Sequence, residues 1–291
     1  MTQERAVRDA FDGLLTVLEL EPLGDNRFRA LSEPDRFGRI FGGQMIAQAM
    51  SAARATVSAK PAHSLHAYFV QAGVPEQPLD LAVDRVRDGR SMSARRVTVA
   101  QQGEPLLIAM VSFHDNPAQP YFAEPAPSAP PPDELPRLQD WAEKAPAQLH
   151  PRARMWIDRP PPVEIRIGEP TFFLGGSATE RTRTHWMRLP RDVGEDPGLH
   201  SVLLAYASDY LLLDMAFRAH PERVSASSFT GTSLDHALWL HCPVRFDRWH
   251  RHTQQLVAVS GDRALVRGMI HDIDGTLVAN TTQEVLVRAN R

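Results

Sequence analysis

Apolar positions along this chain follow two periods, and they alternate in blocks. Residues 41–57 (FGGQMIAQAMSAARATV) are rich in alanine, methionine and isoleucine, which predicts a helix buried on most faces. Residues 63–71, 79–87, 91–101 and 105–114 are strand-like runs, the last apolar over most of its length. The Gln102-Gly103 pair marks a hairpin between the last two. The pattern then recurs. Strands are expected at 163–167 and 184–189, and a long apolar helix from Leu199 to Phe217. Further strands are expected at 233–246, 253–260, 263–271 and 276–288, with Asp274-Gly275 as the last turn. The first copy begins with a short amphipathic helix over 3–12, a strand at 15–20, a turn at Gly24-Asp25-Asn26 and a strand at 27–31.

The recurrence is specific enough to number. Gly89, Arg95 and Gly103 reappear as Gly261, Arg267 and Gly275 at one offset of 172 residues. His66-Ala67 lines up with His236-Ala237 at an offset of 170. An internal repeat of this length means one unit duplicated. Each unit reads as a sheet with an apolar helix across one face, an α+β design. Pairing two such sheets edge to edge would cover an open edge in each. Between the copies, 117–136 holds eight of the 24 prolines and is expected to run extended. The expected division is 1–115, a proline-rich linker at 116–137, and 138–291.

Composition then removes function classes. The chain has 291 residues, 43% hydrophobic and 23% charged, as soluble globular proteins do. A net charge of −3 gives no global field for nucleic acid. Cys242 is the one cysteine, so no intrachain disulfide forms; it is expected to be buried and inert. Residues 1–15 lack the apolar core of a signal peptide, the C-terminal tripeptide is not a peroxisomal address, and no run reaches membrane-span length. A cytoplasmic protein is expected. No nucleophile elbow, zinc-protease motif, phosphate-binding loop or dinucleotide fingerprint is present. The histidines lack zinc-ligand spacing. His250 and His252 flank one arginine and are expected to face solvent.

The two copies differ in polarity at three places. Asp209 lies among leucines, alanines and tyrosines, where a carboxylate is costly unless paired or working, and burial should raise its pKa. It either serves chemistry, or caps a helix restart after Ser208, or meets water at the helix rim. Asp214, five residues on, points elsewhere and is expected to be structural. Ser233 begins a strand, where a hydroxyl either works or bonds its own backbone. Gln283 replaces Val111 at the 172 offset, and either faces the helix or lies on a solvated edge. Glu284 must point to the opposite face from it. A carboxylate, a hydroxyl and an amide converging at one end of a sheet would hold and deprotonate a water, worth about 10²–10⁴-fold. Gly42, Gly43 and Gln44 open the first helix, where backbone can approach a ligand closely and anions settle.

The motifs FGGQ, HSLHAYF, RDGRSMSARRV, YASDYLL, SLDHALWLH and DGTLVANTTQE occur in an order that resembles the acyl-CoA thioesterase II family, from about Leu15 to Arg288. The resemblance implies a double hotdog: two helix-wrapping antiparallel units with one continuous sheet. It implies Asp209, Ser233 and Gln283 as the catalytic set, and direct attack of water on an acyl-CoA thioester. Free fatty acid and CoA would be the products, with no metal and no cofactor. It also implies a homo-oligomer, a dimer or tetramer of double hotdogs. The Gly42-Gly43-Gln44 turn would contribute amides to the oxyanion or CoA site. Two departures stand out: Val285 where the family often has glycine, and Gln71-Ala72-Gly73 where it often has R-P-G. A hotdog 2-enoyl-CoA hydratase or dehydratase is an alternative, with His236 beside Asp235 its nearest feature. A non-catalytic acyl-CoA-binding protein is another.

Overall fold

A computed structural model describes residues 2–35, 38–115, 122–218, 220 and 229–289. The chain opens with α1 (Gln3–Leu18), then β1 (Glu21–Gly24) and β2 (Arg27–Ala30). Next come α2 (Gly42–Arg54), β3 (Ala62–Phe69), β4 (Leu79–Asp88), β5 (Met92–Gln101) and β6 (Glu104–His114). The second half holds α3 (Leu138–Glu143), α4 (His150–Asp158), β7 (Glu164–Ile167) and β8 (Thr182–Arg188). It continues with α5 (Pro197–Ala207), α6 (Leu212–Arg218), β9 (Phe229–Ser233) and β10 (Asp235–Leu240). It closes with β11 (His250–Ser260), β12 (Arg263–Asp272) and β13 (Leu277–Ala289).

One antiparallel sheet runs β1-β2-β4-β5-β6-β3-β10-β13-β12-β11-β8-β7, with β9 also paired to β13. The order reads the same from either end, with β3 against β10 at the centre. That junction covers the edge each half would otherwise expose. The expected double hotdog is thus present as one continuous sheet. Helices α2 and α5 lie side by side within it, running antiparallel. The Gly43 amide reaches Asp209 beyond the end of α5, and Arg54 at the end of α2 reaches Asp196 at the start of α5. Because sheet and partner helix cover it, α2 is buried at ten of its thirteen residues, which explains its alanine-rich sequence.

Four expectations change. The strand at 15–20 is largely helix: Val7, Phe11, Leu14 and Leu18 form one helical face, and that spacing prevails over local alternation. The helix from Leu199 to Phe217 is broken between Ala207 and Leu212, with Leu211 at φ +67°. Side chains satisfy the carbonyls freed there: Arg183 donates to Leu211 O (3.0 Å) and Gln254 to Tyr210 O (2.7 Å). No local propensity announces a break held by distant donors. His250 and His252 are buried, not solvent-facing, because β11 lies inside the sheet between β8 and β12. The run 233–246 is strand only to Leu240 beyond its break at Leu234, since Pro243 cannot continue a ladder.

The repeat itself is one residue out of step in two strands. His66 is exposed on β3, while His236 is buried on β10, so these two face opposite sides. The cross-strand partner of His236 is the buried Ala67, which fixes the inward face. Arg95 is likewise buried, bonded to Thr56 and Asp88, whereas Arg267 is exposed. The β6 and β13 strands keep the 172 offset: Val111 and Gln283 both face inward and both are fully buried. On that face, the neighbours of Val111 and Gln283 are Leu65 and His236 respectively. An apolar pair in one half therefore matches a polar pair in the other.

Candidate functional site

Asp209 sits in the break between α5 and α6, which frees its side chain from a helical course. It is 8% exposed, and its Oδ2 accepts from the amide of Gly43 at 2.9 Å. Burial pushes its pKa up; the charge of His236, a hydrogen bond from Gln283, the Gly43 amide and the charge of Arg39 act against that. Gln283 comes from the centre of β13, on its inward face. Its Nε2 donates to Ser233 Oγ at 2.7 Å, and its Oε1 lies 2.6 Å from His236 Nδ1. Ser233 ends β9, just before the chain shifts register at Leu234 and continues as β10. The three residues whose polarity sets the second copy apart therefore meet in one place.

The opening of α2 supplies the opposite wall. Gly42 and Gly43 are required sterically, not only by turn geometry. A Cβ on Gly42 would come 2.7 Å from Asp209 Oδ2 and 2.9 Å from Phe69 Cζ. One on Gly43 would run into the carbonyl of Tyr206 and the ring of Phe41. Phe41 stacks on Tyr210 (4.6 Å) and meets Tyr206 edge-on (5.2 Å), which holds this junction rigid. Gln44 turns away from Asp209. Its side chain accepts from Glu33 N and donates to Gln48, and its amide donates to Phe41 O. Its polar groups are spent inside the protein.

Two groups in this network hold contacts that the sequence did not assign them. His236 is 1% exposed, with Nε2 2.9 Å from Ser208 Oγ and Nδ1 on Gln283. Its signal was the polar pairing with Gln283, hidden by the one-residue slip of the repeat. The other is the Gly43 amide, whose role is visible only once α2 and α5 are paired. Asp235 faces away, as alternation requires, and accepts from Glu284 N at 2.7 Å. Glu284 turns outward to Arg263, as expected of the neighbour of Gln283. Asp214 is structural, also as expected: it is ion-paired with Arg183 at 2.5 Å, both 1% exposed, and accepts from the amides of Phe172 and Phe173.

The fold and this convergence define the class first: a double hotdog with one polar site at the junction of its halves. Models for "acyl-CoA thioesterase" and "acyl-CoA thioesterase N-terminal domain" match residues 156–286 and 32–114. Acyl-coenzyme A thioesterase 8 of Mus musculus is 35% identical over 286 residues, covering 94% of this chain and 88% of that protein. The crystal structure of an acyl-CoA thioesterase II from Mycobacterium marinum superposes with a TM-score of 0.76. It is 32% identical and covers 95% of this chain and 98% of the other. A hot dog-fold protein from Alicyclobacillus acidocaldarius shares the fold at 18% identity, with a TM-score of 0.76 and 95% and 98% coverage. The chain belongs to the acyl-CoA thioesterase II family.

Proposed function

We propose that the chain hydrolyses fatty acyl-CoA to fatty acid and CoA, the reaction of its family, by direct attack of a water held on Asp209, Ser233 and Gln283. The observation that carries this is a buried carboxylate that accepts from a helix-start amide, beside an amide side chain that holds a serine hydroxyl. Water oxygen adds to the thioester carbonyl carbon while its proton passes to Asp209. The C–S bond then breaks, and the CoA sulfur leaves with that proton. Ser233 and Gln283 fix the water, and His236 fixes Gln283. A raised pKa makes the ionised carboxylate a stronger base than a surface aspartate. The Gly43 amide is spent on Asp209, which leaves the Gly42 amide of that first turn to face the carbonyl oxygen.

Both ring nitrogens of His236 are engaged, by Gln283 and Ser208. That argues against a hydratase, in which the imidazole must reach the substrate. A binding protein would need no buried base. We also place the protein in the cytoplasm, in keeping with its unpaired cysteine. We infer assembly through the outer face of the central strands, where Tyr68 is 67% and Met110 41% exposed. No helix among the described residues is long and apolar enough to cross a membrane.

The test is one turnover of dodecanoyl-CoA in ¹⁸O-water with enzyme in excess. Direct attack puts the label in the fatty acid and none in Asp209. Label retained on Asp209, with unlabelled fatty acid, would mean an acyl-aspartate intermediate and sink this mechanism.

A further inference from the structure

The symmetry of the sheet means that the Asp209 site has a counterpart at the other end of the helix pair. The counterpart can be located residue by residue. Gly43 at the start of α2 touches Asp209 beyond the end of α5. At the other end, Gly198 at the start of α5 lies against Arg54 at the end of α2. The same offset of 155 residues takes Gly43 to Gly198 and Arg54 to Asp209. Arg54 therefore occupies in the first half the place that Asp209 occupies in the second. The polar pair His236–Gln283 is matched there by Leu65–Val111, both fully buried.

That counterpart is not filled in. A cavity of about 1090 Å³ opens at this end of the helices. Leu18, Met50, Val57, Leu199 and Leu240 give it apolar walls, and its volume is in the range of small-molecule sites. Charge is confined to its mouth. Arg54 is paired with Asp196 at 2.6 Å, both half-exposed. Lys60 donates to Gly89 O (2.6 Å) and Ser93 Oγ (3.0 Å), which leaves one donor of its ammonium. The three charges sum to one positive. His63, held by Ser112 Oγ at 2.8 Å, lies beside them.

We propose that this cavity is a second acyl site, which binds an acyl chain with an anionic head group and does not cleave it. Its chemistry is the inverse of the Asp209 site. A guanidinium stands where the base would be, so it attracts an anion instead of deprotonating a water. No amide side chain stands where Gln283 would hold that water. Two ligands share the required chemistry: a fatty acid, through its carboxylate, and an acyl-CoA, through its phosphates. The choice of acyl ligands rests on the thioesterase reading, but occupancy of the cavity does not require turnover.

Calorimetric titration of the full chain tests this with two probes, dodecanoate and a non-hydrolysable thioether analogue of dodecanoyl-CoA. Two molecules of at least one probe should bind each chain, and the probe that gives the second equivalent identifies the head group. Ser201→Trp fills the cavity mouth and should reduce that stoichiometry to one. Arg54→Glu reverses the charge and should weaken the second equivalent at least tenfold. Thermal melts of both variants report whether they fold. Thiol release by Ser201→Trp should stay within about twofold of wild type, because Ser201 is remote from Asp209. One equivalent of each probe on a wild type that still releases thiol would overturn the second site and leave the thioesterase reading standing. So would a second equivalent that persists in both folded variants.

Discussion

The amide of Gly43, at the start of α2, donates to Asp209 Oδ2 across 2.9 Å, joining the two halves of the protein at the candidate site. The two adjacent glycines should respond differently to substitution. In Gly43→Ala the new methyl meets the Tyr206 backbone, which cannot yield. The expected loss is about 1–3 kcal/mol of stability, read from denaturant unfolding. In Gly42→Ala it meets the ends of Asp209 and Phe69, which can swing aside. That variant should stay folded and lose at least tenfold in kcat. Full turnover in Gly42→Ala would show that Asp209 need not stay where it is.

Gln283 links Ser233 to His236. Removing it alone leaves His236 buried without that partner, so Gln283→Val should lower kcat about 100-fold and also cost stability. The double variant Gln283→Val/His236→Leu copies the apolar pair of the first half. It should regain melting temperature over Gln283→Val while staying inactive. Additive losses of stability in the double variant would contradict the matching of the two pairs.

Two buried histidines make the fold acid-sensitive. Burial, with the charges of His236 and Arg183, lowers His252 to about 3. Burial, together with His252, holds His185 well below the usual range. In the unfolded chain both take up protons near pH 6.5, so the unfolded state binds more protons below that pH. Stability is therefore full above about 6.5 and falls as pH drops toward 3, by up to about 1.4 kcal/mol per unit for each histidine. Urea midpoints between pH 7 and 5 should fall accordingly; a flat profile would mean that neither ring is confined.

Asp214 holds Arg183 and two backbone amides at a wholly buried site. Asp214→Ala strands the guanidinium that also caps the broken helix at Leu211. A loss of about 3–5 kcal/mol is expected in equilibrium unfolding. A change under 1 kcal/mol would show that Arg183 finds another partner.

Most strands after α2 were legible because the repeat supplies a second reading of each, whereas β1, exposed throughout, carries no such pattern. Asp209, Ser233 and Gln283 were legible as polar intrusions into apolar runs, and they do meet. What escaped depends on contacts distant in sequence. The break before Leu212 is held by Arg183 and Gln254, from β8 and β11. His236 was set against His66 because one-residue slips do not show in a motif alignment, although they reverse the face of every side chain. The arginine beside His252 points to solvent in the sequence, but the place of β11 between β8 and β12 decides its burial. Helices α3 and α4 stand before β7 and β8 as α1 stands before β1 and β2, but no motif of the repeat reaches them.

The central claim is that Asp209 is a buried carboxylate kept for its basicity at a cost in stability. Its raised pKa fixes the sign: the folded state holds the proton more tightly, so stability falls as pH rises through the folded pKa. Thiol release from dodecanoyl-CoA and the melting temperature, measured together on wild type and Asp209→Asn at pH 7–8, test both parts. The account predicts that Asp209→Asn loses about 10²–10⁴-fold in kcat and melts no lower than wild type. An Asp209→Asn enzyme that keeps its turnover, or one that loses it only by melting well below wild type, would contradict the account.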